Sequence, residues 1–293
     1  MTNGRRQSMK KTVRTVMLLI AAVMCFAACG KKSGQDASKQ AEERNADNEL
    51  PVIKPTAEPE ITPTAEPSGQ PDVTPTEEGN GNKENKEGTM GAAKVLYQGH
   101  GSVRFTTAEG KTIYVDPFMG DGYDVPADLI LITHGHYDHT QTQLITTKNP
   151  DCRTITFTEA LSGGTHQTFD LGYVKVEAVE AGYNKNHDVK QCVGYILTFS
   201  DGVKVYVSGD TSTTKDMETF AAKKLDYAFF CCDGVYNMNM EEAIACAKLV
   251  GAKHSIPYHM VPANENGFDQ SVAEQFDVPG RIILKPGEEL VLE

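Results

Sequence analysis

The chain contains the stretch Thr133-His134-Gly135-His136-Tyr137-Asp138-His139-Thr140, which begins at the last residue of the apolar run LILIT (129–133). The apolar run is typical of a strand that is covered on both faces. Three imidazoles and a carboxylate therefore follow a core strand within six residues, and burying so many polar groups costs free energy unless each finds a partner. Imidazole and carboxylate are ligands that zinc and its neighbours bind. The stretch predicts a metal site at a strand end.

The spacing inside this stretch divides the ligands between two ions. His134 and His136 are two residues apart on an extended strand end, so their side chains point the same way and suit one ion. Asp138 and His139 come after the turn and are predicted to bind a second ion. A purely structural role for the whole HxHxDH pattern is the disfavoured alternative.

Short β-rich runs separated by Gly and Asp turns surround this stretch from about Lys94 onward. A helix is predicted near 213–223 and another at 240–250, where apolar residues recur at helical spacing. Two β-rich halves with helices late in each half predict an α+β sandwich of sheets covered outside by helices. The predicted strands are 94–97, 103–107, 112–116, 129–133, 154–157, 174–179, 192–199, 203–208, 226–231 and 254–258, with RIIL (281–284) and ELVL (289–292) closing the chain.

Residues 1–28 have the pattern of a signal peptide. A basic segment precedes the apolar run TVMLLIAAVMCFAA at 15–28, which is too short to span a bilayer. The small residues Ala27 and Ala28 before Cys29 resemble a bacterial lipobox, so Cys29 is predicted to be lipidated and to become the mature N-terminus. This places the chain on the extracytoplasmic face of a bacterial cell membrane, anchored by lipid. An ordinary signal peptide cut elsewhere, or an uncleaved anchor, is the alternative.

Residues 29–91 are predicted to form a Pro/Glu/Thr-rich linker tethered at Cys29. Proline recurs at every fourth position from Pro51 to Pro75, and PTAEP occurs at 55–59 and again at 63–67. This composition holds too few large apolar residues to bury a core, and proline interrupts both helix and sheet. The folded domain is therefore expected over residues 92–293.

Charge and cysteine content exclude some classes of function. The formal net charge is −12, which disfavours a nucleic-acid backbone as the partner. The cysteines after residue 29 are odd in number and lack CxxC spacing, so neither a disulfide framework nor a thiolate zinc site is predicted; they are Cys152, Cys192, Cys231, Cys232 and Cys246.

Over residues 94–293 the chain resembles the metallo-β-lactamase superfamily, in its metal-dependent hydrolase branch, here as a bacterial lipoprotein. This resemblance implies an αββα four-layer sandwich with a dinuclear metal site at one edge. It rests on the octapeptide and on four further segments: Gly99-His100-Gly101-Ser102 with Tyr114-Val115-Asp116-Pro117-Phe118, Gly182-Tyr183-Asn184 with His187, Ser208-Gly209-Asp210-Thr211, and Ile256-Pro257-Tyr258-His259.

The resemblance also implies a role for each site residue. Asp210 bridges both ions, and Asp138 and Asp210 are the implied catalytic residues. His166 stays open as the alternative to His187. His100 and Asp116 are expected behind the ligands, with Asp116 as the hydrogen-bond partner of a ligand imidazole. The implied ligands are His134, His136, His187 and Asp210 for the first ion and Asp138, His139, His259 and Asp210 for the second, and the implied substrate contacts are Tyr183, Asn184 and Tyr258.

Two divalent ions, zinc or else manganese or iron, are expected to lower the pKa of a bridging water from about 15.7 toward 7. The predicted activity is hydrolysis of an ester, lactone, thioester or phosphodiester in a small-molecule or lipid-like substrate. Cleavage of β-lactams is disfavoured, because superfamily members that hydrolyse these antibiotics lack the bridging aspartate of the GDT segment. A non-catalytic metal- or ligand-binding surface lipoprotein on the same fold is the alternative.

Overall fold

The computed structural model describes residues 91–263 and 266–293. The predicted signal peptide, Cys29 and all of the predicted linker except Gly91 lie outside the described residues. The α-helices are α1 (Phe157–Ala160), α2 (Met217–Phe220), α3 (Met240–Val250) and α4 (Gln270–Ala273). The strands are β1 (Lys94–Gly99), β2 (Ser102–Thr106), β3 (Thr112–Val115), β4 (Ala127–Ile132), β5 (Lys148–Thr156), β6 (Thr168–Asp170), β7 (Val174–Glu180), β8 (Val193–Phe199), β9 (Lys204–Val207), β10 (Tyr227–Cys231), β11 (His254–Tyr258) and β12 (Glu289–Val291).

The strands form two mixed sheets of six strands each. The first has the order β12-β1-β2-β3-β4-β5, and the second has the order β11-β10-β9-β8-β7-β6. Neighbours in the first sheet are antiparallel up to β3 and parallel from β3 to β5, and the second sheet repeats this pattern with β9, β10 and β11 as its parallel strands. The predicted α+β sandwich of the metallo-β-lactamase type is confirmed.

Strand β4 shows how the core positions the site. Leu129 and Leu131 join the large apolar cluster that contains side chains of both sheets, whereas Ile130 and Ile132 join a separate cluster with Tyr114. The strand is thus buried on both faces, as its unbroken apolar run predicts. Burying a side chain of this size contributes about 1.5–3 kcal/mol to the stability of the fold. The core therefore fixes the position of β4 and of the histidines that follow it.

The helix predicted at 240–250 is confirmed as α3. Its stripe of Ala243, Cys246, Ala247 and Val250 is buried, and the side chain of Asn239 caps it by accepting a hydrogen bond from the Glu242 N–H at 2.9 Å. In the part of the chain that the structure describes, no helix is both long enough and apolar enough to cross a bilayer.

Several elements differ from their predicted extent. Strand β5 begins at Lys148, six residues before the strand predicted at 154–157. The helix near 213–223 is shortened to α2 and a 3-10 turn at Ala221–Lys223, because Thr213 donates both its N–H and its hydroxyl to Glu242 at 2.9 Å and so leaves the helical path. The segment 281–284 makes only an isolated bridge between Arg281 and Ser255. Strand β6 was not predicted, because its three largely exposed residues carry no apolar alternation.

Candidate metal centre

The candidate site lies where strands of both sheets end. His134 and His136 follow β4 of the first sheet. His187 lies between β7 and β8, Asp210 follows β9 and His259 follows β11, all in the second sheet. Since the parallel strands of each sheet end at this edge, the topology brings together side chains that are far apart in the sequence.

The first group of potential ligands consists of His134, His136 and His187, whose ligand atoms all lie within 4.8 Å of one another. His134 Nε2 and His136 Nδ1 are 3.0 Å apart. The structure brings His187 to this group, whereas His166 joins none of the potential ligand groups of the described residues.

The second group contains Asp138, His139 and His259 together with His100. His100 Nε2 lies 3.1 Å from Asp138 Oδ2, and its ring centroid is 3.7 Å from that of His259. The fully buried His100 imidazole therefore contacts the predicted ligand Asp138 and packs against His259, and its place behind the ligands stays a prediction.

The Asp210 carboxylate lies between the two groups. Its Oδ2 is 3.2 Å from Nε2 of His187 and 3.2 Å from Nε2 of His259, and its Oδ1 is 3.5 Å from His139 Nε2. One carboxylate therefore contacts imidazoles of both groups, which is the placement that a bridging ligand requires.

Two buried carboxylates hold the histidines of the second group from behind. Asp116 Oδ2 accepts a hydrogen bond from His139 Nδ1 at 2.9 Å and another from the Thr133 hydroxyl. Asp233 Oδ2 lies 3.1 Å from His259 Nδ1. Both contacts use Nδ1, so the Nε2 atom of each ring points toward Asp210. Carboxylates in this position fix the orientation and basicity of metal-binding histidines.

Sequence reasoning missed Asp233 and Asn237. Asn237 Nδ2 donates hydrogen bonds to Asp210 Oδ2 and to Asp233 Oδ2, both at 2.9 Å, and so connects the two carboxylates. The available signal was the Asp233-Gly234 turn directly after β10, because β10 lies between the strands that carry Asp210 and His259. The polar turn at the end of β10 therefore lies at the same edge of the sheet as Asp210 and His259.

The predicted substrate contacts lie in three different surroundings. Asn184 Oδ1 accepts hydrogen bonds from the backbone N–H and from Nδ1 of His187, at 3.0 and 3.1 Å, and so orients this imidazole. Tyr258 is buried, and its hydroxyl lies 3.4 Å from Ser208 Oγ. Tyr183 is exposed, and its hydroxyl donates to Glu180 Oε1. None of the three lines the cavity beside the ligands.

The backbone is strained where it enters the site. The φ values of His100, Asp116 and His259 are 51°, 48° and 43°, in the left-handed region that residues other than glycine rarely adopt. At Gly101, a Cβ atom would lie 2.9 Å from Cε1 of His139, so only glycine allows this close approach. Strain of this kind is concentrated at functional sites.

Burial and the charge of Asp210 divide the imidazoles of the cluster into two kinds. Burial lowers the pKa of His134 and of His136, so both rings are neutral at pH 7. Burial alone would raise the pKa of Asp210, but the neighbouring His259 and His139 hold it well below its usual value. Burial alone would lower the pKa of His139 and of His259, but Asp210 raises both, that of His259 to about 9. Because a divalent ion binds neutral imidazoles, an ion held by these two rings displaces their protons.

Unpaired atoms at the centre of the site fit a cation. Three of the buried atoms without a hydrogen-bond partner among the described residues are His139 Nε2, Asp210 Oδ1 and His259 Nε2. His139 and His259 both place Nε2 beside the Asp210 carboxylate, at 3.5 and 3.2 Å. A divalent ion that replaces the ring protons would be bound by these imidazoles and by the carboxylate they face, so the residues present fit the predicted metal site.

A cavity of about 470 Å³ opens beside the ligands. Its floor contains His136, Asp138, His187, Asp210 and His259. Its sides are formed by Tyr137, Asn186, Tyr236, Pro262 and Ala263. A substrate in this cavity has direct access to both ligand groups.

Two facing mixed sheets with a histidine and aspartate cluster at one edge are the arrangement expected of the metal-dependent hydrolases that the sequence resembles. Residues 94–259 match the family described as the Beta-lactamase superfamily domain. A UPF0173 metal-dependent hydrolase of Geobacillus sp. (strain WCH70) is 33% identical over 228 residues, which are 68% of this chain and 100% of that protein. The chain therefore belongs to the beta-lactamase superfamily and, within it, to the family of the UPF0173 metal-dependent hydrolases.

Further relatives and solved structures agree with this assignment. A UPF0173 metal-dependent hydrolase of Pyrococcus furiosus is 29% identical, over 68% of this chain and 99% of its own length. The crystal structure of a metal-dependent hydrolase from Parabacteroides distasonis is 29% identical and has a TM-score of 0.53, covering 64% of this chain and 91% of its own. Igni18, a metallo hydrolase from Ignicoccus hospitalis, has a TM-score of 0.51 at 21% identity, over 69% of this chain and 99% of its own, and shows the fold alone.

Proposed function

We propose that this protein is a hydrolase that uses two divalent metal ions to cleave an ester, lactone or phosphodiester. The observation that supports this most directly is the position of Asp210, whose two carboxylate oxygens contact imidazoles of both ligand groups. The proposed ligands are His134, His136 and His187 for one ion and Asp138, His139 and His259 for the other, with Asp210 shared.

When bound, such a pair of ions supplies a nucleophile from water at neutral pH and polarises the oxygen of the scissile group. The protein's own residues prepare the site for this chemistry. Asp116 and Asp233 hold the rings of His139 and His259 with Nε2 toward the centre, and Asn237 fixes the Asp210 carboxylate. Asp138 lies on the cavity floor, where its carboxylate would orient the attacking water.

The deciding experiment combines metal analysis with a substrate panel. The purified protein is analysed for bound metal by mass spectrometry and assayed against bis-4-nitrophenyl phosphate, γ-butyrolactone, 4-nitrophenyl acetate and a simple thioester. We expect two metal equivalents per chain and turnover of at least one compound, abolished by a chelator and restored by zinc, manganese or iron. Two bound metals without turnover of any compound would favour a non-catalytic metal-binding protein instead.

A further inference from the structure

We propose that the cavity beside the ligands contains a subsite for an uncharged, apolar substituent of the substrate, formed by Tyr137 and Tyr236. This inference rests on the proposed hydrolase function and adds the class of substrate. The preferred substrate is a neutral ester or lactone that carries an alkyl or aryl group.

The two aromatic rings are unusually exposed for residues of their size. Tyr137 is 62% exposed and Tyr236 is 49% exposed, and both line the cavity. Pro262 and Ala263 add further apolar surface to the same walls. Exposed aromatic surface beside a concave polar centre is characteristic of a ligand site, because a bound apolar group covers it and releases water.

The Tyr236 ring stands on a loop that is held in place. Asp233 Oδ1 accepts hydrogen bonds from the backbone N–H groups of Val235 and Tyr236, both at 2.7 Å. On the other side, Asn186 Nδ2 donates to the Tyr236 carbonyl oxygen at 3.1 Å. A ring on such a loop loses little freedom when a ligand binds, so its contact area contributes to affinity.

The Tyr137 ring is fixed by its place in the metal-binding stretch. Tyr137 begins the 3-10 turn Tyr137–His139, between the two ligands His136 and Asp138. Its ring packs edge-on against Phe118, with centroids 5.6 Å apart and an interplanar angle of 89°. The ring therefore lies next to the reacting centre, where it contacts whatever group is attached to the scissile bond.

The side chains around the two rings offer no cation to an anionic substituent. Among the described residues that line the cavity there is no lysine or arginine, and the proposed metal ions are held by the ligands on its floor, where they bind the scissile group. An anionic substituent against the two rings would lose hydration without gaining a cationic partner. An alkyl or aryl group has no such hydration to lose. Each methylene that it buries improves binding about fourfold, which corresponds to about 0.8 kcal/mol.

The first test measures kcat/KM in two series of esters with the metal-loaded enzyme. One series is 4-nitrophenyl acetate, butyrate and hexanoate, and the other is ethyl, butyl and hexyl acetate followed by pH-stat. We expect kcat/KM to rise at least tenfold along one series. We expect 4-nitrophenyl hydrogen adipate, which has the six acyl carbons of the hexanoate but ends in a carboxylate, to react at least tenfold more slowly than the hexanoate.

Three variants assign the effect to the Tyr236 ring. Tyr236→Ala should lose most of the rise with chain length, whereas Tyr236→Phe should keep it, because the ring and not the hydroxyl forms the wall. Val235→Ala is the matched control, since Val235 is 53% exposed on the same loop but does not line the cavity. Tyr137→Ala is measured together with its metal content, because Tyr137 lies between two ligands.

A binding measurement tests the subsite independently of turnover. Isothermal titration of the metal-free protein with N-butylhexanamide, a neutral amide analogue of these esters, should give a Kd that rises at least fivefold in Tyr236→Ala and stays unchanged in Val235→Ala. Equal amide binding by the wild type and Tyr236→Ala, or measurable hydrolysis that does not rise along either ester series, overturns the subsite. If the wild type binds no metal and hydrolyses none of the esters, but its amide binding still depends on Tyr236, the hydrolase proposal is overturned and the subsite is retained.

Discussion

At the scale of single residues, Asp210 is the side chain on which both ligand groups depend. Its carboxylate is buried among imidazoles and has one oxygen without a hydrogen-bond partner among the described residues. Two cations placed near each other repel strongly in such a poorly solvated site unless an anion lies between them. This makes Asp210 the residue whose removal separates a two-metal site from a one-metal site.

We expect Asp210→Ala to bind at most one metal ion per chain and to lose hydrolysis by several orders of magnitude. His259→Ala should mainly empty the second site, because His259 belongs to one group only. Elemental analysis and turnover of the best substrate in the panel are the measurements, with His166→Ala as the control outside both groups. Two metals and normal turnover in Asp210→Ala would show that the dinuclear proposal is wrong.

Asp233 acts on the site through His259. Asp233→Asn keeps the shape of the side chain but removes the negative charge that faces His259 Nδ1 at 3.1 Å. Burial alone would raise the pKa of Asp233, but His259 lowers it to about 2, so the carboxylate is ionised at neutral pH. We expect metal affinity to fall about 10–100-fold, as for other carboxylates behind metal-binding histidines.

A competition titration against a chelator measures this change in affinity. Asp226→Asn is the matched control, because Asp226 lies at the opposite end of β10 and pairs with Lys253. Equal metal affinity in Asp233→Asn and the wild type would contradict a positioning role for Asp233.

At the scale of elements, Asp128 connects three neighbouring strands. Asp128 Oδ2 accepts from the N–H of Thr112 at the start of β3, and Oδ1 accepts from Asn149 in β5 and from the Lys111 ammonium group, all at 2.9 Å. Asp128 itself lies in β4, directly before the run that carries the site. Its hydrogen bonds therefore help to fix the register of the strands below the metal centre.

We expect Asp128→Ala to reduce the free energy of unfolding by about 1–3 kcal/mol, because buried donors lose their acceptor. Burial alone would raise the pKa of Asp128, but hydrogen bonds from Thr112, Lys111 and Asn149 lower it. Because the folded state lowers this pKa, the ionised carboxylate stabilises the protein above the usual pKa of about 3.9. This stabilisation is lost as the pH falls through the lowered pKa of the folded state.

Urea unfolding at pH 7 and at pH 3 measures the effect of Asp128→Ala. The difference in the free energy of unfolding between Asp128→Ala and the wild type should reach its full value at pH 7 and be smaller at pH 3. Asp151→Ala, which changes an exposed residue of β5, is the control. A difference that grows toward acid would refute the stated role of the carboxylate.

The sequence was most informative where polar residues follow apolar strands. The octapeptide after β4, Asp210 after β9 and His259 after β11 could all be singled out, because few other reasons place such groups at the ends of core strands. His100 and Asp233 were harder to place. The position of His100 in the second group depends on a left-handed turn, and that of Asp233 depends on strand order, neither of which a local pattern specifies.

The burial of Tyr258 likewise had no local signal. Tyr258 pairs with Cys231 of β10, which places it inside the sandwich rather than at the cavity. A tyrosine next to a metal-binding histidine suggests a substrate contact in sequence alone, and only the packing of the second sheet distinguishes the two positions.

At the scale of the whole molecule, the predicted linker and the folded domain have separate tasks. Residues 29–91 are too poor in apolar groups to stabilise a fold. We expect a shortened chain beginning at Gly91 to have the same melting temperature and the same turnover as the chain from Cys29. A clear loss of thermal stability in the shortened chain would mean that linker residues pack against the domain.

We propose that Cys29 carries the lipid that anchors the protein to the outer face of a bacterial cell membrane. Mass spectrometry of the mature protein should find residues 1–28 removed and Cys29 diacylated, and Cys29→Ser should release the chain from the membrane fraction. Cys25→Ser is the control, because Cys25 lies within the predicted signal peptide. An unmodified Cys29 in a chain secreted into the medium would refute the anchor.

The ligand groups unite side chains from both sheets, from His134 after β4 to His259 after β11. Each ion that the site binds would therefore stabilise the folded state, by about 2.7 kcal/mol when free metal exceeds its Kd a hundredfold. A chain made under metal starvation unfolds more often, and it is therefore exposed to proteases for longer. We expect its half-life in the cell to shorten when zinc, manganese and iron are scarce, so that the number of copies per cell follows the nutritional supply of metal even at constant transcription.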